Sequence, residues 1–331
     1  MLRNLLRAIY RSKPVQSIRL PKPLLHWLLA DATLVLIYHE ISDAPSPFHA
    51  RHDLNHAPDV FATQLQALHE AGFYFCSLRD MQRGDYRRPA VFVTFDDGAP
   101  GFFDNAIPIL RRHGAHAINF LNASIQDGAV FHSALTSWLC ANRPDFIAHL
   151  AAAYGPDWDA TKQSLPFLFA TPELTQAYLD AHDRAAIERS VRADYGPGGA
   201  WEQIQRHQEL SIIHYGNHTY THANAAAVSP EFLAQDVARN QERLDALPQG
   251  TRWFSYPYGQ PALCYNEATH TVIRNCGQER LFESSGRIHT GPVDGLIHRF
   301  ATPTLPQSES GFLLWLAIKM AAQRWRSRRA D

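Results

Sequence analysis

The chain has 331 residues, of which 45% are hydrophobic and 19% are charged. This composition is typical of a globular protein and excludes disorder along the whole length. The four cysteines include no Cys-x-x-Cys pair, so neither a zinc ribbon nor a disulfide framework is indicated.

The charges are unevenly distributed. Residues 1–30 contain six basic residues and no acid, and residues 311–331 contain five basic residues and one acid. The ends together carry +10, and because the whole chain carries −1, the residues between them carry −11. We predict a basic amphipathic N-terminal segment (1–32) and a basic amphipathic C-terminal helix (306–331). Solvated surface is the usual reading of such charge runs, peripheral membrane contact is a hypothesis, and no nucleic-acid partner is expected.

Neither a secretory signal nor a transmembrane helix is predicted at the chain ends. Basic residues interrupt the N-terminal apolar residues, which is unlike a secretory signal. The apolar run Phe312 to Ile318 is too short to span a bilayer. The expected location is the cytoplasm. If the hypothesis of peripheral membrane contact holds, the contact would be with the inner face of the membrane.

A repeated strand-and-helix pattern begins near residue 33. Buried strands are predicted at 34–38, 90–95 and 117–121, and a helix is predicted at 59–71. Such alternation predicts a parallel sheet, open or closed into a barrel, with its chemistry at the carboxyl ends of the strands. The domain is predicted to span residues 33–305, with a helical insertion at about 124–200.

Two adjacent carboxylates follow the strand at 90–95. Asp96 and Asp97 would raise each other's pKa unless a cation lies beside them, although Asp-Asp-Gly is also a common polar turn. His218 and His222 would share one face of a helix, if this segment is helical, and could bind a divalent metal such as zinc. A structurally bonded histidine pair is the alternative.

Three motifs together resemble the polysaccharide deacetylase family, also called the NodB homology family or carbohydrate esterase family 4. They are Thr94-Phe95-Asp96-Asp97-Gly98, Asn217-His218-Thr219-Tyr220-Thr221-His222 and Tyr256-Pro257-Tyr258-Gly259. The resemblance covers roughly residues 33–122 and 200–300. It implies an α/β fold, a distorted parallel (β/α) barrel of the NodB type with fewer than eight βα units, to which the helical insertion is an addition.

The resemblance also implies roles for individual residues. Asp97, His218 and His222 would be the ligands of a divalent metal, with zinc as the expected ion, and Asp96 would be the general base. The backbone N–H of Tyr258 would stabilise the oxyanion.

Other residues are predicted to line the same cleft. The substrate-binding candidates are Tyr256, Pro257, Tyr258, His39 and Asp43, the last two because they follow a strand that ends near the site.

The proton donor is the open assignment. The family's late Leu-x-x-His segment is replaced here by Leu296-Ile297-His298-Arg299-Phe300. His298 could donate the proton, or Arg299 could pair with Asp96 and tune the base, and a solvated His-Arg pair is the alternative to both.

The predicted function is metal-dependent hydrolysis of N-acetyl or similar acyl groups on amino sugars. The substrate would be a polysaccharide, an oligosaccharide or a lipid-linked glycan. The alternatives are hydrolysis of another non-peptide C–N bond and a noncatalytic carbohydrate-binding protein. Asp96 argues against the last, because binding alone requires no base.

Overall fold

The computed structural model describes residues 17–291 and 293–327, and its centre is a parallel barrel. The strands in these ranges are β1 (Ala32–Tyr38), β2 (Glu40–Ile41), β3 (Asn55–His56), β4 (Tyr74–Phe75), β5 (Ala90–Asp96), β6 (Ala117–Leu121), β7 (Ile213–Asn217), β8 (Gly250–Ser255), β9 (Arg280–Glu283), β10 (His289–Thr290), β11 (Leu296–His298) and β12 (Phe300–Ala301).

A ring of seven parallel segments forms the barrel, in the order β1, β5, β6, β7, β8, β9 and β11. The segment that contains β11 closes the ring, because β11 pairs with β9 and its continuation β12 pairs with β1. Arg299 lies between these two short strands. The predicted parallel barrel with fewer than eight βα units is therefore confirmed.

Helices surround this barrel. In the described ranges they are α1 (Lys22–Leu29), α2 (Pro47–Arg51), α3 (Pro58–Glu70), α4 (Leu78–Arg83), α5 (Ile107–His113), α6 (Ala123–Gln126), α7 (His132–Asn142), α8 (Pro144–Tyr154), α9 (Ala160–Ser164), α10 (Pro166–Phe169), α11 (Pro172–Asp180), α12 (Arg184–Tyr195), α13 (Trp201–Arg206), α14 (Pro230–Asp245), α15 (Glu267–Asn275) and α16 (Glu309–Ser327). A π-helical turn, Phe102–Ala106, precedes α5, and a 3₁₀ turn, Gly155–Asp157, follows α8.

Strand alternation decides which side chains enter the barrel. A buried apolar cluster fills the interior, with Phe92 from β5, Trp253 from β8 and Ile297 from β11 among its members. Because successive side chains on a strand point to opposite faces, positions two residues further along face the interior as well. The side chains of Asp96, four residues after Phe92, and Arg299, two residues after Ile297, therefore face the interior, and both lie at the carboxyl end of the barrel.

Helices α6 to α12 lie between β6 and β7, where the helical insertion was predicted. They have a core of their own, in which Phe131, Phe146 and Val191 are buried, and Phe48 from α2 joins that core. Gly199 ends this region close to the turn after β5, since an added Cβ would lie 2.1 Å from the Gly98 carbonyl oxygen. The insertion is thereby held against the strand end that carries the two aspartates.

The chain ends are partly described. Residues 1–16 and 328–331 of the predicted terminal segments lie outside the described residues. Helix α16 buries Phe312, Leu316 and Met320 in the main core, which also contains residues of α3. No helix within residues 17–291 and 293–327 combines the length and the apolar character needed to span a bilayer.

Candidate active site

Asp96 is held by a buried arginine. Arg299 donates from Nη1 to Oδ1 of Asp96 at 2.7 Å and from Nη2 to Oδ2 at 2.8 Å. The same guanidinium also donates to the hydroxyl groups of Thr94, at 3.1 Å, and Ser255, at 2.5 Å. Arg299 is fully buried, so this two-pronged ion pair is shielded from solvent.

The ion pair determines the charge of Asp96. Burial acts to raise the pKa of this carboxyl group, but the charge of the nearby Arg299 guanidinium and its hydrogen bonds outweigh burial and lower the pKa below its ordinary value. Asp96 is therefore ionised at neutral pH, which is the state that a general base requires.

Asp97 and the two histidines converge on one point beside Asp96. Oδ1 of Asp97 lies 3.3 Å from Nε2 of His222 and 3.6 Å from Nε2 of His218. A tetrahedral ion with bonds of about 2.0–2.1 Å would hold its ligand atoms roughly 3.3 Å apart, so the spacing is that of a ligand set. Each of the three residues is buried.

His218 and His222 do not lie on a helix, which was the condition under which they were expected to share one face. β7 ends at Asn217 and a loop follows. The Asn217 side chain accepts a hydrogen bond from the Thr219 N–H, and Asn122 donates to the Thr219 carbonyl. Thr219 and His222 have φ of 61°, so the loop reverses and the two imidazole centroids come within 4.9 Å.

These residues fit a divalent metal ion. Oδ1 of Asp97 is buried and has no hydrogen-bond partner in the described part of the chain. Burial, and then the charge of Asp96, raises the pKa of Asp97 well above its ordinary value, which is the cost that a bound cation would remove. Nδ1 of His218 must carry the proton because it donates to the Ser255 carbonyl at 2.7 Å, and this leaves Nε2 free for a metal.

His39 and Asp43 have different surroundings. His39 directly follows β1, and its imidazole interacts electrostatically with Asp96, Arg299 and His218. Burial lowers its pKa to about 4, against the opposing effect of the Asp96 carboxylate. Asp43 is exposed in the loop after β2, so the structure brings His39 to the cluster but leaves Asp43 at the surface.

The Tyr256-Pro257-Tyr258 segment contributes one ring to the site. The Tyr258 ring lies 4.7 Å from the His222 ring, and its backbone has φ of 60°, so it turns sharply at the end of β8. Tyr256 is fully buried on the outer side of the barrel, where its hydroxyl meets Nδ1 of His270 at 2.7 Å. Pro257 is buried between them.

The structure does not bring His298 to the metal ligands. His298 is adjacent to the inward-facing Arg299, and its Nδ1 lies 2.5 Å from Oε1 of the fully buried Glu283. Tyr265, which belongs to a buried apolar cluster with Phe254 and Tyr256 on the outer side of the barrel, donates to the other oxygen of Glu283 at 3.1 Å. The contacts of His298 thus lie on the outer face of the barrel.

Several residues at the site belong to the insertion and have no sequence motif. Phe131 packs on the His222 ring at 5.0 Å, and Phe167 packs on the Tyr258 ring at 6.0 Å. The buried Tyr195 contacts Phe131 at 5.1 Å, and its hydroxyl, which has no hydrogen-bond partner among the described residues, interacts electrostatically with Asp97. The insertion forms an aromatic wall over the ligands.

A parallel barrel with a buried Asp-His-His ligand set beside a second, ionised aspartate is the arrangement of a metal-assisted hydrolase. The sequence model of the polysaccharide deacetylase family matches residues 83–281, and the chain belongs to this family. Its members are hydrolases of carbon–nitrogen bonds other than peptide bonds, they act on carbohydrates and they use a divalent metal. No curated protein sequence matches the chain.

Solved structures show the same fold at low sequence identity. The deacetylase PplD of Streptococcus pyogenes, in complex with acetate, has a TM-score of 0.56 and 18% identity over 86% of this chain and 97% of its own. A de-N-acetylase of Aggregatibacter actinomycetemcomitans has a TM-score of 0.55 and 16% identity, over 85% and 98%. IcaB of Ammonifex degensii has a TM-score of 0.53 and 20% identity, over 87% and 97%. The NodB-type barrel is thus confirmed.

Proposed function

We propose that this protein is a metal-dependent deacetylase that removes N-acetyl or similar acyl groups from amino sugars of a polysaccharide, an oligosaccharide or a lipid-linked glycan. The observation that carries the proposal is that two adjacent aspartates have different partners. The negative charge of Asp96 is compensated by Arg299, whereas Asp97 faces two histidine nitrogens and forms no ion pair with a lysine or arginine among the described residues. Family membership supports a carbohydrate substrate.

Asp97, His218 and His222 would hold the ion, and their one-carboxylate, two-imidazole donor set favours zinc. When bound, such an ion polarises the scissile carbonyl and lowers the pKa of water. The residues of the chain perform the proton transfers. Asp96, held ionised by Arg299, would take the proton of the attacking water. The N–H of Tyr258 would donate to the oxyanion.

His39 is the better placed of the two candidate proton donors. Departure of an amine requires a proton on the leaving nitrogen. His39 lies close enough to Asp96 and His218 for their charges to affect it, whereas His298 is engaged by Glu283. Asp96 could pass the proton that it takes from water to His39, and the protonated His39 would then donate it to the leaving nitrogen.

The function is tested by acetate release from N-acetylated amino-sugar oligomers of increasing length, with the metal content measured in parallel. We expect activity in the metal-loaded protein, loss on chelation and recovery on addition of zinc. N-formylated oligomers and non-sugar amides complete the series. Release from the non-sugar amides alone would favour hydrolysis of another C–N bond, and carbohydrate binding without hydrolysis would contradict the proposal.

The donor assignment makes a separate prediction. We expect His39→Gln to lower kcat by about 10²–10⁴-fold, because a general acid contributes on that order. His298→Gln is the matched control, since it makes the same change outside the cluster, and it should keep kcat within a few-fold of wild type. A substrate with a better leaving group should rescue His39→Gln. Equal losses in the two variants, or loss in His298→Gln alone, would reverse the assignment.

A further inference from the structure

The large apolar side chains that are highly exposed in the described residues are concentrated at the chain ends. Trp27 is 65% exposed, Ile318 is 58% exposed and Trp325 is 56% exposed. Leu24 and Ile18 are 42% and 45% exposed. These five residues, which we call the terminal apolar surface, lie on helix α1, just before it, or on helix α16.

The two helices form one support for this surface. Helices α1 and α16 contact each other, and Arg324 of α16 binds Asp31, just beyond the end of α1, with an N···O distance of 2.5 Å. Leu24 and Trp27 are three residues apart, and Ile318 and Trp325 are seven apart, so each pair shares one side of its helix. The opposite side of α16 is buried in the main core, so Ile318 and Trp325 lie on its outward side.

The net charge of the two chain ends favours an anionic partner. Helix α1 has no acidic residue, and helix α16 has only Glu309, at its first position. Residues 1–30 and 311–331 carry +10 together, whereas the rest of the chain carries −11. Tryptophan is enriched where apolar lipid meets water, and basic residues beside apolar ones bind anionic headgroups. We propose that the terminal apolar surface docks the protein on an anionic lipid membrane.

The docked orientation follows from the fold. Helix α1 leads directly into the amino end of β1, and β1 runs parallel to β5, which delivers Asp96 at its carboxyl end. Trp27 and Trp325 of the terminal apolar surface, close to Asp31 before the amino end of β1, therefore lie toward the barrel end opposite the metal ligands. A docked molecule would present its active site away from the lipid, toward a glycan that extends from the membrane.

Vesicle co-sedimentation of the full chain tests the proposal. Wild type should sediment with vesicles of phosphatidylcholine and phosphatidylglycerol, and much less with phosphatidylcholine alone or at high salt. Trp27→Ser combined with Ile318→Ser should reduce binding about tenfold or more, because both changes remove exposed apolar surface. Acetate release from soluble oligomers should be unchanged, since neither residue is in the site.

A charge-matched comparison separates a local surface from net charge. Arg19→Gln with Arg326→Gln should weaken vesicle binding about tenfold, whereas Arg189→Gln with Arg206→Gln, which removes the same charge elsewhere, should not. Equal binding by wild type and Trp27→Ser/Ile318→Ser would overturn the proposal. The proposal would also be overturned if the wild type bound no vesicles and formed a dimer that Trp27→Ser/Ile318→Ser converts to monomers. The surface would then be an interface between copies of the chain.

Discussion

The substitution Asp96→Asn is expected to lower kcat/KM by about 10²–10⁴-fold while leaving the metal content unchanged, because it removes the base but no metal ligand. Both carboxylate oxygens of Asp96 accept hydrogen bonds from Arg299, and the pKa of Asp96 lies below the ordinary value, so its role at neutral pH is to accept a proton. Asn keeps the shape of the side chain but cannot accept that proton. Acetate release and metal analysis of the same preparation measure both consequences.

Asp97→Asn is the matched comparison, one residue along the chain. This change should lower the metal content as well as the activity, because Oδ1 of Asp97 is the point on which both imidazoles converge. Circular dichroism establishes that both variants are folded. Full activity in Asp96→Asn would refute the base assignment, and loss of metal in Asp96→Asn would show that the two aspartates share one role.

Replacement of Arg299 by Met should have the largest effect on stability. The guanidinium is fully buried and makes four hydrogen bonds, two of them to the Asp96 carboxylate. Its loss would leave a buried carboxylate without its counter-charge, which costs about 3–5 kcal/mol. The free energy of unfolding, measured by urea denaturation of the metal-free protein, should fall by that amount. The pKa of Asp96 should rise, because burial would then be less strongly opposed.

The second change in a double-mutant cycle identifies the cause. Asp96→Asn in the Arg299→Met background should recover part of the lost stability, because the uncompensated charge is removed. Arg299→Lys should lose less than Arg299→Met, since it keeps a charge but cannot bind both carboxylate oxygens at once. An Arg299→Met protein as stable as wild type, or a cycle with additive changes, would show that the ion pair does not stabilise the fold.

Local patterns were sufficient for the elements that build the barrel. The strands at 90–95 and 117–121 were predicted as buried apolar runs, and β5 and β6 are buried along their whole length. Helices α11 and α14 begin by an equally local rule, because the side chains of Thr171 and Ser229 each accept a hydrogen bond from the backbone N–H three residues later. These features depend on neighbours in sequence, so the sequence contains their cause.

The pairing of Asp96 with Arg299 joins residues 203 positions apart, and only the closed ring brings them together. From the sequence, either His298 could donate the proton or Arg299 could pair with Asp96, and nothing chose between these roles because the two residues are adjacent. Strand register separates them, since neighbouring side chains on a strand point to opposite faces. Arg299 consequently enters the barrel, and His298 meets Glu283 outside.

The motifs by themselves determined the family, the parallel barrel and the chemical types of the site residues, because these follow from local order and from residue chemistry. Tertiary structure alone decided the rest. The aromatic wall of Phe131, Phe167 and Tyr195 comes from an insertion that has its own core and no motif. The left-handed backbone of Asp97, His222 and Tyr258 is likewise imposed by distant contacts, since non-glycine residues seldom adopt it unless their surroundings hold them there.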